Sequence, residues 1–282
     1  MEQIDYRQNP WAGLSSYEDP AKSKKSLIFC GRSNDTIDVT RLIDDNFFVT
    51  LYGKSGIGKT SLLNAGVFPA LRRRQYTPLS LRLRMTDETL SFQEIITKAI
   101  ERIVCESGGS IDIVNVVDES IDFSAIDYLW RWFARRKFFN SEGKITFPVV
   151  VFDQFEETLR QKKWQYKAET LLTQLNYIVD ENHAMNDCMV EGRDYTYDFN
   201  FRFVLSIRED DLYRLEDSLD SCSLPSLKNC RYRLRSLTEQ GAREVIQIPG
   251  RECIDESDLT IITNKILQEI NENGEISSLM LS

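Results

Sequence analysis

Apolar positions along the chain fall into two kinds of run. Short, almost uniformly apolar stretches bounded by polar or turn residues read as buried strands. They are Phe47–Tyr52 (F-F-V-T-L-Y), Leu79–Leu83, Phe147–Phe152 (F-P-V-V-V-F), Phe201–Ile207 (F-R-F-V-L-S-I) and Tyr232–Leu234. The third and fourth carry almost no polar interruption, as central parallel strands covered on both faces require. Elsewhere the apolar residues recur every three or four positions, the helical period. Such patterns cover Thr60–Phe68, with Leu63 and Val67 on one face, and Phe92–Val104, with Ile95, Ile96, Ile100 and Ile103. Others cover Ile126–Phe138, Tyr166–Val179, Glu239–Ile246 and, after Pro249-Gly250, Leu259–Ile270. Strand–helix alternation of this kind predicts an α/β fold, a five-stranded mostly parallel sheet flanked by helices. The stretch Glu106–Asp122, with Gly108 and Gly109, reads as an insertion carrying a short edge strand.

Composition narrows the function classes. The 282 residues include 44 acidic and 35 basic side chains, a net charge of 35 − 44 = −9. That balance argues against general duplex binding, where affinity comes from neutralising phosphates, although it leaves room for a local basic groove. No apolar run approaches the roughly 18 residues of a membrane span, and the polar Met-Glu-Gln-Ile-Asp start is no signal peptide. The six cysteines (Cys30, Cys105, Cys188, Cys222, Cys230, Cys253) include no C-x-x-C pair and read as reduced, mostly buried thiols of a cytoplasmic protein. The single histidine, His183, lies in a polar stretch and reads as an exposed bystander. Ser-His-Asp, Cys-His and His-based zinc chemistry are thereby disfavoured.

One motif carries chemistry at every constrained position. Residues 53–60 read G-K-S-G-I-G-K-T, matching G-x-x-x-x-G-K-[ST] between a buried strand and a helix pattern. Gly53, Gly56 and Gly58 are expected to take positive φ and turn backbone N–H groups inward as an anion nest. Lys59 supplies a point charge for the β and γ phosphates, and the Thr60 hydroxyl is a hard ligand for Mg²⁺. The expected phosphate-contacting set is Gly53, Ser55, Gly56, Gly58, Lys59, Thr60 and Ser61.

A carboxylate partner is expected on a neighbouring strand. Residues 149–157 read V-V-V-F-D-Q-F-E-E, which puts Asp153 at the C-terminal end of a buried strand, where ligands gather in open parallel sheets. Asp153 would hold Mg²⁺ through water, and Glu156 or Glu157 would orient the attacking water, unless the pair only begins a helix. Some 94 residues separate Lys59 from Asp153, which favours the ATPase branch with an inserted strand. A GTPase would need N-K-x-D, yet Asn264-Lys265 is followed by Ile266-Leu267 on a helix pattern. Ser107-Gly108-Gly109-Ser110 stands far too early for a transporter signature. Arg208 follows the fourth strand and is placed to sense a γ phosphate, the bland alternative being a surface arginine paired with Glu209 or Asp210. Two basic stretches read as structural. In Leu129–Phe139, Leu129, Trp132, Phe133 and Arg136 make a core-facing helical stripe, favoured over a nucleic-acid surface. Arg72-Arg73-Arg74 suits the end of the loop helix.

Together these pieces resemble the STAND class of NTPases, related to NACHT and NB-ARC proteins, and more narrowly its bacterial branch of multidomain, phage-defence proteins. The resemblance rests on N-P-W-A-G-L-S-S-Y-E, L-I-F-C-G-R-S at 27–33, S-L-L-N-A-G-V-F-P-A-L-R at 61–72, D-Q-F-E-E at 153–157 and L-T-E-Q-G-A-R-E-V-I-Q-I-P-G at 237–250. It implies that Phe29, Gly31 and Arg32 flank the adenine and that ATP or ADP binds with Mg²⁺. It further implies slow hydrolysis, an ADP-off and ATP-on switch, and assembly with other protomers on a trigger, a phage protein being one candidate. It divides the chain into a lead-in (1–44), a nucleotide-binding core (45–250) and a partial helical lid (251–282), the chain reading as a severed piece of a longer protein. Two rivals stand beside this reading: a scaffold with negligible turnover, and a nucleic-acid-stimulated ATPase.

Overall fold

The computed structural model describes residues 11, 16–22, 28–83, 90–113, 125–180 and 201–271. His183, Cys188 and the closing residues of the chain lie outside them. Seven strands are present among the described residues. They are β1 (Phe48–Gly53), β2 (Tyr76–Leu81), β3 (Ser110–Ile113), β4 (Arg136–Phe139), β5 (Ile145–Phe152), β6 (Arg202–Arg208) and β7 (Arg231–Arg233). Their order is β3-β4-β5-β6-β1-β7, with β2 also paired to β5. β2 and β6 run parallel to β5, whereas β3, β4 and β5 pair antiparallel. The result is the expected mixed α/β, mostly parallel sheet flanked by helices, in which β4 and the edge strand β3 join the five strands predicted.

The helices are α1 (Ser33–Asp45), α2 (residues 59–72), α3 (Phe92–Glu106), α4 (Tyr128–Ala134), α5 (Glu156–Leu159), α6 (Gln165–Val179), α7 (Leu212–Ser221), α8 (Glu239–Gly250) and α9 (Glu256–Asn271). The chain forms two compact units, each from discontinuous segments. One comprises 1–40, 53–70 and 233–282; the other comprises 41–52 and 71–232 and carries all of the sheet except the terminal residues Gly53 and Arg233.

Several boundaries moved for identifiable reasons. The helix expected over Ile126–Phe138 ends at Ala134, and Arg136–Phe139 is a strand instead. Its aromatic end favours a pleated surface, and Phe138 and Phe139 pair with Thr146 and Ile145 of β5. Arg136 therefore leaves the helical stripe and stacks its guanidinium 4.2 Å from the Trp132 ring. Leu129, Trp132 and Phe133 are buried, as the core reading requires. β2 starts three residues before the expected Leu79, because ladder pairing to β5 outweighs the interruption by Pro78. Among the described residues β2 pairs only with β5, and an edge strand tolerates the missing N–H. The edge strand expected within Glu106–Asp122 is β3; residues 114–122 lie outside the described set.

The sheet unit buries a continuous apolar core. It includes Phe48, Leu79, Phe92, Ile96, Ile100, Val150, Leu171, Leu175 and Leu205. Each such side chain contributes about 1.5–3 kcal/mol on leaving water. Phe203 is fully buried, stacked 6.2 Å from Phe152 and edge-on at 5.4 Å to Phe133. At the start of β6, Arg202 is buried with Nε on the Ile43 carbonyl (3.2 Å) and Nη2 on the Asp44 carbonyl (3.4 Å), satisfying the C-terminal turn of α1. The five described cysteines are free, but none is buried: Cys105 and Cys253 are exposed and the others half-buried. That corrects the expectation of mostly buried thiols. Cys105 is in the last turn of α3 and Cys253 in the turn after α8, so both sit where the chain meets solvent.

Candidate nucleotide site

The phosphate loop closes β1 and opens α2. Gly56 (φ 69°) and Gly58 (φ 97°) are left-handed, a conformation that costs any other residue about 1–2 kcal/mol. Gly53 is not among the positive-φ residues, which corrects the sequence expectation. Glycine is needed there because a Cβ would lie 2.7 Å from the Leu234 carbonyl oxygen. Lys59 Nζ donates to the Gly53 and Lys54 carbonyls at 2.9 and 3.1 Å, folding the loop around its own ammonium. Thr60 begins α2 with Lys59 and Ser61. Ser55 lies exposed in the turn between β1 and α2.

α2 is not uniform. After Lys59–Ser61 it widens to one π-helical stretch, Leu62–Val67, and resumes as α-helix over Phe68–Arg72. Phe68 N–H bonds to the Leu63 carbonyl, five residues back. Pro69 explains the widening: in a regular α-helix its ring would clash with the carbonyl four residues before it. Gly66, in the widened turn, lies against the lead-in, where a Cβ would meet Thr36 Oγ1 at 2.5 Å and Phe29 at 3.0 Å. Sequence reasoning missed this feature, although Gly66 and Pro69 were visible.

The same unit ties the lead-in to the loop. Tyr17 N–H donates to Ser61 Oγ (3.2 Å), and Asn64 Nδ2 donates to the Tyr17 carbonyl (3.1 Å). Phe29 packs edge-on to Tyr17 at 5.4 Å. Arg32 is 6% exposed and its guanidinium donates to the Ile57 carbonyl of the loop (3.0 Å), the Arg235 carbonyl (2.7 Å) and Asp35 (3.0 Å). The resemblance put Arg32 beside the base; in the structure one of its donors goes to the loop backbone at Ile57 and the others to Arg235 and Asp35. Gly31 (φ 76°) sits against α8, where a Cβ would be 2.4 Å from the Gly241 carbonyl oxygen. Trp11 Nε1 and the Cys30 thiol donate to the α8 carbonyls of Val245 (3.1 Å) and Glu244 (3.3 Å). Burial, with Glu244 beside it, pushes the Cys30 thiol up to about 11, so it stays protonated and unreactive.

In the sheet unit, β5 ends in a tight turn. Asp153 is 4% exposed, and its N–H is held by the Leu81 carbonyl at 2.9 Å. Gln154 is left-handed (φ 58°), a strained conformation for a non-glycine residue. Phe155 then turns into the core with its N–H on the Ser206 carbonyl of β6. This puts Glu156, 5% exposed, at the start of α5, where its Oε2 accepts the Arg208 backbone N–H at 3.3 Å. Glu157 is half-buried in the same turn of helix. Arg208 closes β6 and pairs with Asp210 at 3.2 Å, the bland alternative in part, but its buried Nε has no partner among the described residues.

The turn is braced by a pair that sequence reasoning missed. Arg160, after α5, holds Asp211 through two bonds of 2.9 and 2.6 Å, and Arg214 adds a third contact at 3.3 Å. The Arg160 bonds hold the Asp211 carboxyl below the usual carboxylate range. Sequence reasoning also missed Arg82, 3.4 Å from Asp153 Oδ2. No local pattern links residues 71 positions apart; only the β2–β5 register does. The acidic strand β5 is not adjacent to β1, since β6 lies between them. Asp153 is therefore not on the strand next to β1; a strand lies between the two motifs, as in the inserted-strand branch that the 94-residue spacing favours, and Arg208 stands beside the acidic strand.

Known proteins resemble this arrangement at the level of fold. The Walker-type ATPase PABY2304 of Pyrococcus abyssi superposes with a TM-score of 0.52 at 13% identity, over 89% of this chain and 66% of that one. The ADP form of the Aeropyrum pernix ORC2 protein gives 0.53 at 12% identity, over 94% and 62%. The chain thus spans less than two thirds of the length of either structure. No curated protein matches it significantly in sequence. Among the described residues no helix is long and apolar enough to cross a membrane. The family described as Novel STAND NTPase 1 matches residues 10–280. By family and fold, then, the chain is an NTPase module of the P-loop type, and it belongs to the Novel STAND NTPase 1 family.

Proposed function

We propose that this module is a molecular switch that binds ATP or ADP, hydrolyses ATP slowly, and licenses assembly with other protomers in the ATP state. The observation that carries the reading is the phosphate loop: two left-handed glycines leading into α2, closed around the Lys59 ammonium. Such a loop offers backbone N–H groups and one mobile cation to a polyphosphate. In this reading Gly53, Ser55, Gly56, Gly58, Lys59, Thr60 and Ser61 take the phosphates, and Phe29 and Gly31 flank the adenine. Arg32 fixes the loop from the adenine side.

Thr60 and Asp153 each offer a hard oxygen donor of the kind Mg²⁺ takes, Asp153 from a carboxylate 4% exposed. When bound, Mg²⁺ supplies charge neutralisation on the phosphate oxygens. Glu156 is the stronger candidate for the base that orients water, being positioned by the Arg208 N–H, with Glu157 beside it. Arg208 would read the γ phosphate with donors beyond the one given to Asp210. The proposed compartment is the cytoplasm and the proposed trigger another protein, of phage origin in the family's defence setting.

Multiple-turnover phosphate release tests the reading. Slow release is expected from the wild type, and Glu156→Gln is expected to cut it by about 10²-fold or more while ATP affinity stays within about twofold. Equal release from wild type and Glu156→Gln would remove the base assignment. No release above background would leave a nucleotide-holding scaffold.

A further inference from the structure

β2 and β5 stay in register through Leu81 and Phe152, so Arg82 and Asp153 follow side by side at the strand ends. The two are not equals. Asp153 is 4% exposed, with its backbone pinned to Leu81, whereas Arg82 is 41% exposed and reaches the carboxylate at 3.4 Å, at the long end of the hydrogen-bond range. Nearby, Arg160 grips Asp211 with two shorter bonds, the geometry of a lasting pair. Arg82 holds its carboxylate loosely by comparison. It compensates a desolvated charge, yet it can withdraw into water at small cost.

We propose that Arg82 is a resident counter-ion of Asp153 that a divalent cation must displace, so that Arg82 sets the concentration of divalent cation at which Asp153 takes up the ion. The proposal rests on the reading of Asp153 as a magnesium carboxylate. A divalent cation held there, directly or through water, repels a guanidinium 3.4 Å from the same oxygen, so one cation excludes the other. In the metal-free chain Arg82 offsets part of the charge of the buried Asp153 carboxylate.

Mn²⁺ is the probe, its free concentration read by electron paramagnetic resonance with the full chain and ADP, against the same ADP solution alone. Arg82→Gln, which keeps a polar side chain but is shorter and loses the charge, is expected to bind Mn²⁺ about threefold to fivefold more tightly than wild type, the scale of a half-exposed ion pair. Arg82→Lys should stay near wild type. Asp153→Asn should weaken Mn²⁺ binding, and in the double variant the gain from Arg82→Gln should vanish. Unchanged or weaker binding by Arg82→Gln, or a gain that persists without Asp153, overturns the proposal. Binding by Asp153→Asn equal to wild type overturns the metal reading itself, and the proposal with it. Thermal unfolding of each metal-free variant checks that the fold is kept.

Discussion

Gly31 and Gly143 share a left-handed backbone, φ 76° and 72°, but not a neighbourhood. A Cβ on Gly143 meets nothing within 4 Å, while one on Gly31 would press on the Gly241 carbonyl at 2.4 Å. Gly143→Ala therefore measures backbone strain alone, about 1–2 kcal/mol. Gly31→Ala should cost at least about 2 kcal/mol more, because backbone must move to admit the methyl group. Denaturant midpoints of the two variants check this; equal losses would show that the lead-in gives way. At the same scale, Arg208→Ala should lower the preference for ATP over ADP, whereas an unchanged affinity ratio would remove Arg208 from the site. The phosphate loop was legible because its chemistry is local, eight consecutive residues. Arg32 and Arg82 were not legible in these roles, since their partners Ile57 and Asp153 are distant in sequence.

At the scale of elements, the buried ends of helices and strands are where single changes should tell most. Arg202→Leu would leave the Ile43 and Asp44 carbonyls of α1 without their donor, a loss of about 3 kcal/mol. Thr238, whose side chain accepts the Gly241 N–H at 3.0 Å, caps α8, and Thr238→Ala should cost about 1 kcal/mol. Urea unfolding would read both. The Arg160–Asp211 pair gives a pH signature. Because the folded carboxyl is held below its ordinary value, its contribution is full above about pH 3.9 and is lost as pH falls through the depressed folded value. Wild type should accordingly lose its advantage over Asp211→Asn on acidification; a constant gap down to pH 2 would contradict this. Legibility at this scale followed burial. β5 and β6 are buried on both faces and were read to within three residues of their ends, whereas β4 hid inside an apolar pattern that also fits a helix. Period alone does not separate the two in so short a run.

For the whole molecule, the α/β class and the family were readable from spacing and motif, since the order of strand, loop and acidic strand is written along the chain. The strand order was not. That β6 lies between β1 and β5 is a matter of long-range pairing, which no local pattern encodes. Nor does the sequence show that residues 1–40, 53–70 and 233–282 gather into one unit, bringing the lead-in, the phosphate loop and α8 together. The account stands on that unit holding a nucleotide through Lys59. Calorimetric titration of the full chain with ADP and Mg²⁺, wild type beside Lys59→Ala, measures this most directly. The expected result is saturable binding by wild type and at least about a tenfold loss in the variant, the scale of a charge-assisted contact to phosphate. Equal affinity in the two proteins, or no binding by wild type, would contradict it.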